Sequence, residues 1–388
     1  MQQHITQWLG FFQGLLATRF RQNQKEAMET LIWLVVGQLF GLYNPNQLAD
    51  AIGVSKANLY RHIATWSLFQ WRRLLMEVGC QQALKLIQQS ESMSAATQSR
   101  RRITLSVDDT VVRRFGQFLS YCYHWWSTRF NASIKGQNIL AITIKIGEVV
   151  IPLSVRLVGK QGPANTNKPD IFKLMMTEVK VFFEQHGIDI TSYPITFDSW
   201  YGSQPLREIL QQLGFQVILV HAKSNYVFII GGLKAKLKKH KRQIVWQLQA
   251  GQWGCSKPVA RIKAQSPTFG DLILLFFEDQ AKCCCMMVFG KPLRAAEILS
   301  IWRQHHGIEQ FWRSLKSIIH LSAMSLQKPS GAYATLGVKV IAYLLLLTVS
   351  MATRQTLHQI QLQLSGQIHL LIELMEHFQT DNVKATYS

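Results

Sequence analysis

Along the first hundred residues apolar positions recur at intervals of three and four, as at Leu31, Leu34, Val35 and Leu39, a spacing that predicts helices. The polar stretch 89–102 (QSESMSAATQSRRR) reads as a linker and closes a helical unit over residues 1–98. From Ile103 the period changes. ITLSVDD is a β-rich run, and NILAITIKIG with EVVIPLSVRLVG predicts two more strands joined at Gly147. GKQGPANTNKPD reads as a loop, and helical spacing returns over 170–186 until Gly187 stops it. YPITFDSWYGS then predicts a strand and turn, PLREILQQLG a helix ended by Gly214, and FQVILVHA a strand. This alternation predicts a layered α/β domain over 99–224. Residues 225–290 carry short strand-like runs with almost no helix, a β-rich insertion. LRAAEILSIWRQHHGIEQFWRSLKSII restores helical spacing within 291–330, and 331–388 reads as a further helical region. Its longest apolar run, Val338–Ala352, is interrupted by Lys339 and falls short of the ~20 residues that span a membrane, so a buried helix is expected.

Composition sharpens this picture at two points. With 48% hydrophobic and 11% aromatic residues in 388, the chain has ample material for a core. Its 42 Lys and Arg against 22 Asp and Glu give a formal charge of +20, which points to a polyanionic partner, nucleic acid before anionic membrane. The first twenty residues lack the basic segment and small-residue cleavage site of a secretory leader. Six cysteines show no C-x-x-C spacing, and Cys283, Cys284 and Cys285 lie inside an apolar run, so no disulfide or zinc framework is expected and a reducing cytoplasm fits.

Residues 47–62, QLADAIGVSKANLYRH, have the form of a helix-turn-helix. Ala49 permits close helix packing, Gly53 makes the turn and Leu59 docks the second helix. Ser55 is placed to cap that helix, and Lys56, Asn58, Tyr60 and Arg61 would face a DNA groove. A plain αα-hairpin is the competing account.

In a chain this poor in acid, carboxylates at the ends of apolar strands stand out. Asp108 and Asp109 follow ITLSV, and Asp198 follows PITF, each where a strand delivers a side chain to the edge of a sheet. Taken singly, each is as readily a turn or cap residue. Glu309 and Lys316 lie seven residues apart on the late helix and therefore share a face. Phosphodiester cleavage requires an activated water and a stabilised leaving oxygen, which two Mg²⁺ ions, with Mn²⁺ as a substitute, supply. Such hard cations take oxygen ligands, so three acids converging from two strand ends and a helix meet the demand.

These residues resemble the DDE transposases of bacterial insertion sequences, in the branch with a β-strand insertion and a third motif Y-x2-R-x3-E-x6-K. VDDT is similar to the first-acid motif, ITFDSWYGS to the second, and IWRQHHGIEQFWRSLK to the third. The resemblance, over about residues 100–325, implies a ribonuclease-H-like catalytic core with an inserted β-rich subdomain, preceded by an all-α helix-turn-helix domain. It implies Asp108, Asp198 and Glu309 as metal ligands, with Asp109 the rival for the first place because both neighbour Thr110. Lys316 would hold a strand at the transposon end, and Arg313, Trp302 and His305 are the other DNA-contact candidates on that helix. Two positions depart from the family: Trp302 stands where it has Tyr, and His305 where it has Arg. A Trp ring still stacks on a base or sugar, whereas a His is charged only part of the time near pH 7.

The run LKAKLKKHKR (233–242) offers Lys238, Lys239, Lys241 and Arg242 for phosphate contact. Trp246 and Trp253 in the insertion are candidates for stacking, although strand tryptophans are more often core. Trp125 and Trp126 are expected in the core, with Arg113, Arg114 and Arg129 near DNA phosphates. The implied partner is double-stranded DNA, and cutting two ends in concert calls for a homodimer, with the apolar helices of 334–378 as its expected contact. A helix-turn-helix regulator, or a ribonuclease-H-like nuclease without strand transfer, are the competing functions. Neither calls for all three ordered acid motifs and the insertion.

Overall fold

β-branched runs make the scaffold. The computed structural model describes residues 1–18, 24–91, 103–127, 130–160, 167–244, 258–279 and 282–376. β1 (Ile103–Arg113) pairs antiparallel along its whole length with β3 (Ala132–Ile146). The other edge of β3 is shared: β2 (Cys122–Ser127) takes its first half and β4 (Val149–Leu157) its second. On the far side of β1 lie β5 (Ile195–Phe197) and then β6 (Val217–His221), both parallel. The helices α6 (Lys168–Glu184) and α7 (Gln204–Leu213) make the crossovers, as right-handed βαβ geometry requires. Asn167 caps α6 through the Asp170 N–H, and Gly214 ends α7 in the left-handed conformation at φ 92°.

The 225–290 block does not fold apart from this sheet. β11 (Lys282–Gly290) pairs antiparallel with β6, and β10 (Gly270–Asp279), β9 (Val259–Ser266), β7 (Val227–Ile230) and β8 (Leu233–Lys236) follow, giving one sheet of eleven strands. Gly290 makes the join possible, since a Cβ there would lie 2.1 Å from the Gln216 carbonyl oxygen. The expectation of almost no helix in this block is corrected by α8 (Leu237–Ile244), which turns Leu237, His240 and Ile244 inward and its lysines outward. Trp246, Trp253 and Arg129 lie outside the described residues.

The N-terminal helices are α1 (Gln2–Ala17), α2 (Lys25–Leu39), α3 (Pro45–Ile52), α4 (Lys56–Ala64) and α5 (Leu68–Glu91). They share a continuous apolar core with the sheet. α5 crosses β4 closely enough that a Cβ on Gly79 would meet the Pro152 carbonyl oxygen at 2.0 Å. Two later helices complete the chain as described: α9 (Ala295–Ser317) over the sheet, then α10 (Pro329–Thr353), followed by α11 (Leu357–Leu364) and a last segment at 368–376.

α10 is the centre of the helical half. At 25 residues it is long and apolar enough to cross a membrane, so the expectation that this stretch is too short is corrected; 83% of its most apolar window is nevertheless buried within the protein. Its apolar periodicity is satisfied inside the chain by α1, α2, α4 and α5. The motive for placing a dimer contact on that helix therefore falls away.

Candidate active site

Alternation along β1 separates the two adjacent acids. Ser106, Asp108 and Thr110 point to the face covered by α9, while Asp109 points to the opposite face. There the Asp109 carboxylate accepts hydrogen bonds from Asn138 Nδ2 (2.7 Å), Lys168 Nζ (2.8 Å) and the Tyr201 hydroxyl (2.5 Å). It is a neutralised, fully engaged anion. Burial raises the Tyr201 phenol well above its ordinary range, and the nearby carboxylates add to this, so it remains a donor.

Asp108 is in the contrary position. Burial, then the charge of Asp109, and more weakly those of Asp198 and Glu309, push its carboxyl up to about 8, against a hydrogen bond from the Asp109 N–H. Among the described residues no cation pairs with it. Asp198 stands exposed at the end of β5, where it caps the short 3₁₀ turn Ser199–Tyr201 by accepting the Ser199 N–H at 2.6 Å. Glu309 projects from α9 with 56% of its side chain exposed and His306 Nδ1 3.5 Å away. On the same helix Lys316 Nζ donates to Thr110 Oγ1, two residues beyond Asp108 on its own face.

Asp108, Asp109 and Asp198 line a single open cleft of about 1100 Å³ with Tyr201, Lys168 and Lys316. Glu309 lies outside that lining, and among the described residues no three His, Cys, Asp or Glu side chains approach closely enough to hold a metal ion. The donor set still suits a hard divalent cation. A half-buried acid beside other carboxylates, with no cation paired to it among the described residues, lacks only a positive charge.

The opposite wall of the cleft is aromatic. Trp126 is 62% exposed and Phe115 77%, Phe130 adjoins them, and Lys160 Nζ lies 4.2 Å from the Trp125 ring centroid. The expectation that Trp126 belongs to the core is thus corrected, because β2 is an edge strand with this side uncovered.

Other predicted contacts divide. Lys316, Arg313, Lys56, Arg61, Lys238, Lys239 and Arg242 are exposed, and Lys241 is half-buried. Lys56 also pairs with Asp50 at 2.8 Å, and Ser55 holds the cap position of α4 without a side-chain cap bond. Trp302 is half-buried, stacked 4.6 Å from His305 and 6.0 Å from His221. His305 does not suit a DNA contact: it is 3% exposed, bonded to Thr196, and burial lowers it to about 4, so it is a neutral ring inside the protein. Arg114 is likewise buried, and its guanidinium commits four of its five N–H donors to Gln137 and to the carbonyls of Leu321, Ser322 and Met324. Sequence reasoning missed Asn138, Lys168, Tyr201 and Lys160. Tyr201 sits inside the DSWYGS motif, but nothing in that string marks it as the partner of Asp109.

No curated protein matches the chain. The family model described as "Transposase DDE domain" matches residues 99–345, a span that holds the acid-bearing strands, the β-rich block and α9. The chain belongs to the DDE-domain transposases.

Proposed function

We propose that this protein cleaves DNA at the ends of an insertion element and joins the freed 3′ ends to target DNA, using Asp108, Asp198 and Glu309 to hold two Mg²⁺ ions. The half-buried carboxyl of Asp108, with no cation paired to it among the described residues, carries the reading. It shares the cleft with Asp198 and the α9 face of the sheet with the helix bearing Glu309, whereas Asp109 already has three partners. Held there, such ions would supply activation of a water near neutral pH and stabilisation of charge on the departing 3′-oxygen.

The rest of the site binds and orients. Lys316 supports the face of Asp108 through Thr110 and offers its charge to a strand beside the scissile phosphate. Trp126, Phe115 and Phe130 give unpaired bases a surface to stack on, flanked by Lys160. The sheet has three antiparallel strands followed by two parallel ones with helical crossovers, which supports a ribonuclease-H-like core extended by the β-rich block. α3 and α4, joined at a left-handed Gly53 (φ 70°), serve as the helix-turn-helix on duplex DNA, and α8 adds cationic charge. Two copies act together on the paired ends.

The test is nicking of supercoiled DNA carrying the element's ends. Wild-type protein cuts with Mg²⁺ or Mn²⁺ and not with chelator, and Glu309→Gln lowers the rate at least 100-fold while binding DNA normally. Undiminished cutting by Glu309→Gln overturns the assignment.

A further inference from the structure

Below the acids lies a second polar set that the cleavage chemistry does not use. Thr196 Oγ1 is within hydrogen-bond distance of the Leu105 carbonyl (3.0 Å), Ser106 Oγ (2.9 Å) and His305 Nδ1 (2.9 Å). Thr196, Ser106 and His305 are 0%, 2% and 3% exposed. One hydroxyl has a single proton and two lone pairs. The Leu105 carbonyl only accepts, so the Thr196 proton goes there and both lone pairs take donors, Ser106 O–H and His305 Nδ1–H. That arrangement fixes the tautomer of a neutral His305, with Nδ1 protonated, and uses the full hydrogen-bonding capacity of the Thr196 hydroxyl.

The position of this junction matters more than its composition. Ser106 lies two residues before Asp108 on β1, Thr196 two before Asp198 at β5, and His305 four before Glu309 on α9. Each is one same-face step from its acid. Two strand residues advance about 6.6 Å and four helical residues about 6 Å, so a helix pinned to the strands at His305 keeps pace with both at the acids. A second pin, Lys316 to Thr110, sits beyond Asp108 on the same face. Glu309 therefore falls between two fixed points on α9, and Asp108 between the corresponding points on β1.

We propose that Thr196 and His305, with Ser106, are positioning residues that set the register of α9 against the two acid-bearing strands, so that Glu309 meets Asp108 and Asp198 over a shared pair of cations. This rests on the metal-dependent reading above. At position 305 this chain exchanges a charged residue aimed at DNA for a buried anchor, which separates metal assembly from DNA affinity.

Mn²⁺ binding to the full-length protein on a DNA end, followed by electron paramagnetic resonance, tests it alongside the Mn²⁺ dependence of nicking. Thr196→Val removes the hub at constant volume, His305→Leu removes the donor, and His305→Asn restores an N–H near the Nδ1 position. The expected result is metal affinity weakened roughly 10–100-fold in Thr196→Val and His305→Leu, as for residues that orient ligands from behind. DNA affinity is unchanged, and His305→Asn recovers most of the loss. Should Thr196→Val not fold, Ser106→Ala trims one hydroxyl and reads the same quantity more gently. Wild-type metal affinity in the folded variants overturns the proposal, as does failure of His305→Asn to restore what His305→Leu loses. Asp198→Asn separates this from the broader reading. If wild type binds Mn²⁺, Asp198→Asn does not, and Thr196→Val matches wild type, only the positioning role falls. If wild type binds no Mn²⁺, the metal site falls and takes this inference with it.

Discussion

Lys339 is the most exacting test of how the helical half is joined to the catalytic half. It is 0% exposed on α10, yet among the described residues its ammonium has no carboxylate partner. Its three donors go to Gln38 Oε1 (2.5 Å) on α2, the Tyr43 carbonyl (2.9 Å) before α3 and the Ile319 carbonyl (2.8 Å) just after α9. Gln38 cannot turn away, because its own amide donates to the Leu34 and Leu42 carbonyls at 2.9 Å each. Replacing Lys339 by Met keeps the length of the side chain and strands three buried acceptors. At about 1–3 kcal/mol for each, the loss is roughly 3–9 kcal/mol before relief from desolvating the ammonium. That relief is itself several kcal/mol, so a net destabilisation of about 2–4 kcal/mol is expected.

Burial, and secondarily the charge of Arg114, lowers Lys339 to about 7. The Tyr43 ring lies 5.2 Å from its ammonium, and His320, tilted 47° against that ring, faces the same charge. An unfolded lysine titrates near 10.4, so between about pH 7 and 10 the unfolded chain binds more protons and stability rises with pH. The rise is at most roughly 4 kcal/mol, reduced because the three hydrogen bonds favour the ammonium. Below pH 7 both states are protonated and this contribution is flat. Urea unfolding followed by circular dichroism at pH 7, 8, 9 and 10 reads both effects. Wild type should gain stability across that series, and Lys339→Met should start lower and lose the upward slope. A variant as stable as wild type at pH 7, with the same slope, refutes the reasoning.

Three further outcomes are expected. Asp109→Asn removes the charge that pairs with the Lys168 ammonium, 10% exposed, and accepts from Asn138 and Tyr201, and should destabilise by about 3 kcal/mol in thermal melts, whereas Asp108→Asn should abolish nicking with no such loss. Gly79→Ala forces a Cβ to 2.0 Å from the Pro152 carbonyl oxygen and should lower stability by about 1–3 kcal/mol; an unchanged melting temperature would show that α5 does not bear on β4 as described. Trp126→Ala removes a largely exposed ring, so stability should hold within about 0.5 kcal/mol. Its affinity for a DNA end with unpaired bases, read by fluorescence anisotropy, should fall by about 1–3 kcal/mol, and equal affinity would remove the aromatic wall from the binding surface.

What was legible in the sequence follows from which interactions are local. Strand period and helix stops placed β1, β3, β4, α6, α7 and α9 because alternation and terminal glycines are local signals. The acids were legible because a carboxylate ending an apolar strand breaks the pattern around it. What could not be read was pairing. That β11 adds to β6, making the insertion part of the same sheet, depends on register between strands more than sixty residues apart. α8 was hidden because four Lys and Arg in eight residues obscure the inward face formed by Leu237, His240 and Ile244.

His305 and Arg114 show the same limit from the side of function. As strings, a His one turn from an acid and an Arg at a strand end look like phosphate contacts. Only the fold shows that His305 reaches Thr196 and that Arg114 reaches the carbonyls of 321–324. Both are spent on holding α9 and the segment after it to β1 and its neighbours. Cationic residue types near a polyanion's path therefore mislead wherever the site must also be built, since the groups best able to bind phosphate are equally able to bind carbonyls. Burial decides between the two uses, and burial is a property of the packing that brings α9 across the sheet. Asp109 belongs to the same argument: beside Thr110 it has an equal claim to catalysis in the string, and only the fold shows that its carboxylate accepts from Asn138, Lys168 and Tyr201.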